Sequence, residues 1–163
     1  MPPTAALTLR KAVREDGPFL LAIRNAEDVR ARSHNWELIS GQTHEEWLTR
    51  HLGAADTAIW IIERDGEKVG YIRAKKLEGP HEHGKWLLSM ALDSSARGKG
   101  YGTWAVTEGC RLLHEEYRAE AIVADVLTDN SAALRLFKKT GFVMTVGVAE
   151  HEDLSRLELS LRE

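Results

Sequence analysis

The stretch ARGKGYG, Ala96 to Gly102, sets three glycines on alternate positions among an arginine, a lysine and a tyrosine. Glycine tolerates backbone conformations that side chains forbid, so this spacing predicts a loop to which something comes very close. Just before it lies the apolar run Trp86 to Leu92, short enough for a buried strand. Just after it, Tyr101 to Tyr117 carries Trp104, Ala105, Leu112 and Leu113 on one helical face. A strand that ends in glycines and opens a helix offers unpaired N–H groups at the positive end of the helix dipole, an anion site. Arg97 and Lys99 add charge, which points to a phosphate or pyrophosphate. A Walker loop would need GxxxxGK followed by Ser or Thr, and a dinucleotide fingerprint would need GxGxxG early in a βαβ unit. RGKGYG, preceded by a hairpin, fits neither.

On the N-terminal side, Leu7 to Val13 reads as a strand and Arg14 to Val29 as one helix, with Phe19, Leu20, Ile23 and Ala26 at helical spacing. Thr43 and Glu46 form a capping-box pattern at the start of a second helix. Two β-rich runs flank Asp65-Gly66, a strong hairpin signal. On the C-terminal side, AEAIVADVLT reads as a strand and NSAALRLFKKTG as a helix capped by Asn130 and stopped at Gly141. Two further β-rich runs close the chain. The expected order is β-α-α-β-β-β-α-β-α-β-β, a mixed α/β sheet.

The 163 residues show no repeat and no linker, so one domain over 1–163 is expected. A net charge of -3 gives no general attraction to nucleic acid or an anionic membrane, so neither is expected as a partner. The single cysteine, Cys110, reads as a small apolar filler and fits a reducing cytosol. The N-terminal stretch lacks an apolar run long enough for a signal peptide, and no window approaches a membrane span. A soluble, cytoplasmic protein is expected.

Arg97, Gly100 and Gly102 make the pattern RxxGxG, by which the chain resembles the GNAT acetyltransferases. Alone, such a pattern arises by chance in roughly one chain in twenty-five of this length. The second motif removes that ambiguity: NSAALRLFKKTGFV is similar to the family's N-x-x-A-x-x-x-Y-x-K-x-G-F, matching at Asn130, Ala133, Lys139, Gly141 and Phe142. The resemblance implies a single GNAT-like domain with a mostly antiparallel, twisted sheet flanked by helices, and acetyl-CoA as cofactor. It implies that the pyrophosphate sits on Arg97, Gly98, Lys99, Gly100, Tyr101, Gly102 and Thr103. It places the pantetheine arm along Met90, Ala91 and Leu92, with Asn130, Ala133, Phe137 and Lys139 completing the cofactor side.

The N-terminal half is similar to the nucleotide-sugar N-acetyltransferases of pseudaminic-acid-type pathways, through Arg24-Asn25, Val29-Arg30, Ile39, His44 and Trp47. This resemblance implies a primary-amine acceptor on a UDP-linked amino sugar, with Arg30, His34, Asn35, Trp36 and Glu37 as acceptor contacts. The alternatives are a protein N-terminus, a polyamine or an aminoglycoside, and, from another class, a non-catalytic acetyl-CoA-binding module. Five tryptophans in so small a chain leave room for an apolar homodimer interface.

Direct transfer needs a base for the amine and a proton for the departing thiolate. The family's tyrosine acid corresponds to Phe137, which cannot donate, and its strand carboxylate to Leu87. Ser89, Tyr71 and Tyr101 are the candidate hydroxyls, Tyr101 being read chiefly as a flank of the pyrophosphate. His81, Glu82 and His83 are the base candidates just before the central strand, with His34 and Glu37 in the acceptor loop as further ones. Two histidines at i and i+2 do not make a zinc site, so no metal is expected.

Overall fold

The computed structural model describes residues 6–145 and 152–161. Strand β1 (Leu7–Lys11) leads through a 3-10 turn (Arg14–Asp16) into α1 (Gly17–Asn25), α2 (Glu27–Ala31) and α3 (Gly41–His51). Strands β2 (Thr57–Arg64), β3 (Glu67–Lys76) and β4 (Lys85–Leu92) follow, then a 3-10 turn (Ser94–Ala96) and α4 (Tyr101–Tyr117). β5 (Ala121–Leu127), α5 (Ser131–Lys139), β6 (Val143–Met144) and β7 (Leu154–Ser160) complete the order.

Among the described residues the strands form a seven-stranded sheet in the order β1-β2-β3-β4-β5-β7-β6. Neighbours run antiparallel except β4 and β5, which are parallel and joined by the crossover helix α4. The β2–β3 connection is the two-residue hairpin expected at Asp65-Gly66, with φ of 51° and 84° at the two turn residues.

The sheet is covered on both faces. Trp60, Ile62, Ile72, Trp86, Leu88, Ile122, Ala124 and Leu157 pack with Ala105, Val106, Cys110 and Leu113 of α4 and Phe137 of α5. The alternate residues Ile59 and Ile61 pack with Leu20 of α1 and Leu48 of α3. Burial on both faces explains why β2 reads as a continuous apolar run rather than an alternating one. Gly109 lets α4 lie close on the sheet, since a Cβ there would meet Ile72 Cδ1 at 3.1 Å. Cys110 is buried in this layer and burial pushes its thiol up to about 12, as suits an apolar filler.

Two local readings need correction. The helix expected over Arg14 to Val29 is a 3-10 turn and two α-helices, broken at Ala26, which adopts φ -59° and ψ 136°. A long-range contact accompanies the break: Asn25 Nδ2 donates to the Ile39 carbonyl at 2.7 Å, and Ile39 N–H donates to Asn25 Oδ1 at 2.9 Å. The α3 cap is Ser40, whose Oγ accepts from Thr43 N–H at 3.1 Å, so the helix starts earlier than the Thr43 capping box implied.

Candidate active site

Strand alternation orients the central strands. Trp86, Leu88 and Leu92 of β4 face α4, so Leu87, Ser89 and Ala91 face the α1–α3 side. β4 and β5 share a ladder only at Lys85↔Ala121, Trp86↔Ile122 and Leu87↔Val123. Beyond Leu87, β4 continues to Leu92 against β3, and β5 continues to Leu127 against β7. Their facing edges therefore part, leaving a stretch of β4 edge at Leu88–Leu92 that β5 does not cover.

That open edge runs straight into the glycine loop. Asp93 Oδ2 accepts from Ser95 N–H at 3.2 Å and starts the turn. Gly98 and Gly100 then take φ of 74° and 85°, conformations costly for any other residue. No side chain caps α4, so the N–H groups of its first turn remain available to a ligand. Gly102 is needed for a different reason: a Cβ there would meet Leu136 Cδ1 at 2.8 Å and Met90 Cε at 3.2 Å. A Cβ on Gly98 would meet nothing within 4 Å, so the space beside that turn is clear. Exposed Lys99 stands on the same loop. Clear space, outward N–H groups and an uncovered strand edge fit a pyrophosphate with an extended arm.

Not every cofactor-side candidate contributes a side chain. Arg97 turns away from the loop to ion-pair with Asp28 of α2 and to donate to the Leu92 carbonyl at 2.9 Å. Its guanidinium holds the Asp28 carboxyl below the ordinary carboxylate range. Tyr101, expected to flank the pyrophosphate, is instead buried in the α4-side core, with the Arg64 guanidinium 5.8 Å from its ring centre. Its ring supplies apolar area to the helix face, and only its main chain stays with the loop. Phe137 is likewise buried, edge-on to Phe142 at 5.0 Å. Asn130 caps α5, accepting from Ala133 N–H at 3.2 Å. Thr103 is half-buried and Lys139 exposed.

Two of the acid–base candidates, Ser89 and Tyr71, lie on the α1–α3 face of the sheet. Arg73 lies opposite Ser89 and Tyr71 opposite Ala91 across the β3–β4 ladder. On β5 and β7, Asp125 lies opposite Arg156 on this same face. Arg156 donates to Asp125 through Nε at 2.8 Å and Nη2 at 3.0 Å, and to Glu82 Oε1 through Nη1 at 3.0 Å. Glu82 Oε2 is buried with no partner among the described residues. Of the His81-Glu82-His83 trio, only Glu82 turns inward. His81 is exposed with φ 67°, and the His83 side chain is 95% exposed. Tyr71 is half-buried; burial raises its phenol pKa against the opposing charges of Arg73 and Arg24.

The acceptor-side residues form a scaffolded loop. Arg24 Nη2 donates to the Asn35 carbonyl at 2.8 Å, and Arg30 donates to the carbonyls of Trp36 at 3.2 Å and Asn25 at 3.1 Å. Asn35 Oδ1 accepts from Glu37 N–H at 3.2 Å, while His34 Nδ1 lies 2.9 Å from Asp153 Oδ2. Trp36 is 67% exposed. His44 and Trp47 pack on α3 with ring centres 5.8 Å apart. Arg24, Asn25, Arg30 and Ile39, four of the residues behind the acceptor resemblance, thus hold this segment in place.

Asp125, Arg156, Asp28, Arg73 and Arg24 were not recognised as site residues in the sequence. Asp125 had a usable signal: a lone carboxylate inside AIVADVL needs a partner if the strand is buried.

The family model described as an acetyltransferase (GNAT) domain matches residues 6–143. An N-alpha-acetyltransferase of Sulfurisphaera tokodaii is 31% identical over 105 residues, 59% of this chain and 62% of that protein. YwnH of Bacillus subtilis, provisionally named a phosphinothricin acetyltransferase, is 25% identical over 150 residues, 88% of this chain and 90% of that one. Among solved structures, spermidine N-acetyltransferase of Vibrio cholerae with CoA and spermine has a TM-score of 0.82 at 18% identity, covering 94% of this chain and 95% of that one. The chain belongs to the GNAT acetyltransferases, enzymes that take their acyl group from acetyl-CoA. Among the described residues no helix is long and apolar enough to cross a membrane.

Proposed function

We propose that residues 1–163 act as one cytoplasmic N-acetyltransferase domain that moves acetyl from acetyl-CoA to a primary amine by direct attack. The observation that carries this is the parting of β4 and β5 after Leu87, directly continuous with an uncapped helix N-terminus. Backbone N–H groups over Arg97–Thr103 would hold the pyrophosphate, and the open edge at Met90, Ala91 and Leu92 would take the extended arm. The cofactor supplies the activated acyl group.

The chain's own groups handle the protons. Glu82 Oε2, buried and without a partner among the described residues, would accept the proton of the amine, directly or through water. Arg156 holds that carboxylate from behind, and Asp125 holds Arg156. Phe137 has no proton to give, so Ser89 and Tyr71, on the acceptor face of the opening, are the donors available there. Burial keeps the Tyr71 phenol protonated, as a donor must be.

For the acceptor, the residues of the α1–α3 segment support a nucleotide-linked amino sugar, with Arg30, His34, Asn35, Trp36 and Glu37 near it. A second reading, a protein N-terminus, is supported by the name of the Sulfurisphaera relative. Thiol release from acetyl-CoA, measured against UDP-linked 4-amino sugars, N-terminal peptides, amino acids, polyamines and aminoglycosides, tests both. Turnover of one amine class, abolished in Gly100→Val, is expected. Acetyl-CoA binding with no turnover of any amine would reduce the protein to a binding module.

A further inference from the structure

We infer that the acceptor carries an anionic group beside its amine, and that Arg24 and Arg73 receive it on the α1–α3 face of the sheet. This rests on the acetyl-transfer reading above and names the chemistry of its acceptor. Arg24 Nη1 is buried and has no partner among the described residues, although Nη2 of the same guanidinium is satisfied by the Asn35 carbonyl. A buried guanidinium N–H left without an acceptor is costly, and an oxyanion at that position would satisfy it.

Arg73 supplies the second arm. It is exposed, sits opposite Ser89 at the opening, and lies over the Trp47 ring at 5.3 Å. Stacking fixes the plane of a guanidinium while leaving its N–H edge free for a ligand. Arg73 shares the α1–α3 face of β3 with Tyr71, two residues away, and α1, which carries Arg24, packs on β3 and β4. Neither has a carboxylate ion-pair partner among the described residues, whereas Arg10, Arg97 and Arg156 each do.

The opposite sign lies across the same face, where two carboxylates, Glu82 and Asp125, share one arginine. An ammonium is drawn to that end and an oxyanion to the Arg24–Arg73 end. The matching acceptor is a small amine with a carboxylate, phosphinate or phosphate group, either a free amino acid or the pyrophosphate-bearing part of a nucleotide-linked amino sugar. A polycation such as a polyamine is the wrong charge for the arginine end.

The test uses pairs that differ only in that charge: each of the common amino acids with its carboxamide, and a UDP-linked 4-amino-4,6-dideoxy sugar with the free amino sugar. Transfer to each is measured with the intact protein and with Arg73→Gln. At least one anionic member should exceed its neutral partner about tenfold in kcat/KM. Arg73→Gln should erase that preference while changing the KM for acetyl-CoA less than twofold. Which pair responds tells carboxylate from pyrophosphate. Calorimetry of the corresponding N-acetyl products on CoA-loaded protein gives a readout that needs no turnover. A charge preference in binding without any transfer would keep the anion site and sink the acetyl-transfer reading. Neutral members equal to anionic ones in every pair, by both measurements, would overturn the inference.

Discussion

The loop Arg97–Gly102 holds its shape through main-chain conformation, with Gly98 and Gly100 at φ of 74° and 85° and no side chain capping α4. The loop Ser33–Glu37 holds its shape through side chains, with Arg24 and Arg30 donating to the carbonyls of Asn35 and Trp36. A ligand that is always the same can be met by backbone, whose N–H groups do not depend on residue type. A ligand that differs between relatives must be met by side chains, because they can change without rebuilding the sheet. Among the described residues an ion pair, Arg97 with Asp28 of α2, ties the glycine loop to the α1–α3 segment.

The sharpest way to break this contrast is Gly100→Val. A β-branched residue at φ 85° is strained by about 1–3 kcal/mol and cannot keep the loop's path. Acetyl-CoA affinity by calorimetry should fall at least a hundredfold, while the melting curve keeps its cooperativity. Retained affinity would mean that the backbone does not hold the cofactor.

Glu82→Gln comes next. Loss of a base should lower kcat by about 10²–10³-fold and leave acetyl-CoA affinity unchanged. An unaltered kcat would remove Glu82 from the proton path.

Asp16→Asn tests the stability of the frame rather than the site. Asp16 is 1% exposed, accepts from both Arg10 and Val13 N–H, and pairs with Lys68 at 2.7 Å. The Arg10 hydrogen bond above all holds its carboxyl well below the ordinary range. With the folded pKa depressed, the contribution is complete above the unfolded carboxylate value and is lost progressively as pH falls below it toward the folded one. At neutral pH the substitution should cost about 2 kcal/mol in chemical denaturation, with the difference from the parent protein shrinking in acid. A gap independent of pH would contradict the assignment.

Arg97→Ala should weaken acetyl-CoA binding only a few-fold, since its guanidinium serves Asp28 and the Leu92 carbonyl rather than the loop's ligand. A cycle with Asp28→Asn should show that the two substitutions are not additive. Because the Asp28 carboxyl is held low, that coupling should be present at neutral pH and fade as acid protonates it. The smallest effect is expected at Trp36→Ala, a rise of a few-fold in acceptor KM with no change in melting temperature. Trp36 is 67% exposed and has no ring partner among the described residues.

Much of the glycine-loop side is legible in the sequence. Its signals are local: a strand, a glycine pattern and a helix in immediate succession, each with its own period or cap. α4 begins at Tyr101 and ends at Tyr117, and α5 is capped by Asn130, as the spacing predicts. The acceptor side was not legible in the same way. The helix break at Ala26 comes with a bond between Asn25 and Ile39, and the capping box at Thr43 lost to Ser40. The Glu82–Arg156–Asp125 group joins a loop and two strands that are far apart in the chain, so no window of sequence contains it.

Tyr101 marks the boundary between the two kinds of information. Its place in the motif follows from the sequence, yet the direction of its ring follows from packing, because a buried helix face claims large apolar area wherever it is offered. By itself, then, the sequence determined the class of protein, the glycine loop and the central strand–loop–helix unit, all of which depend on short-range backbone preference and periodicity. Only the tertiary structure decided that β4 and β5 part after Leu87, that the Arg97 guanidinium pairs with Asp28 of α2, and that one carboxylate oxygen of Glu82 is buried without a partner among the described residues. Those outcomes turn on strand pairing and side-chain competition between distant segments, which local pattern does not record.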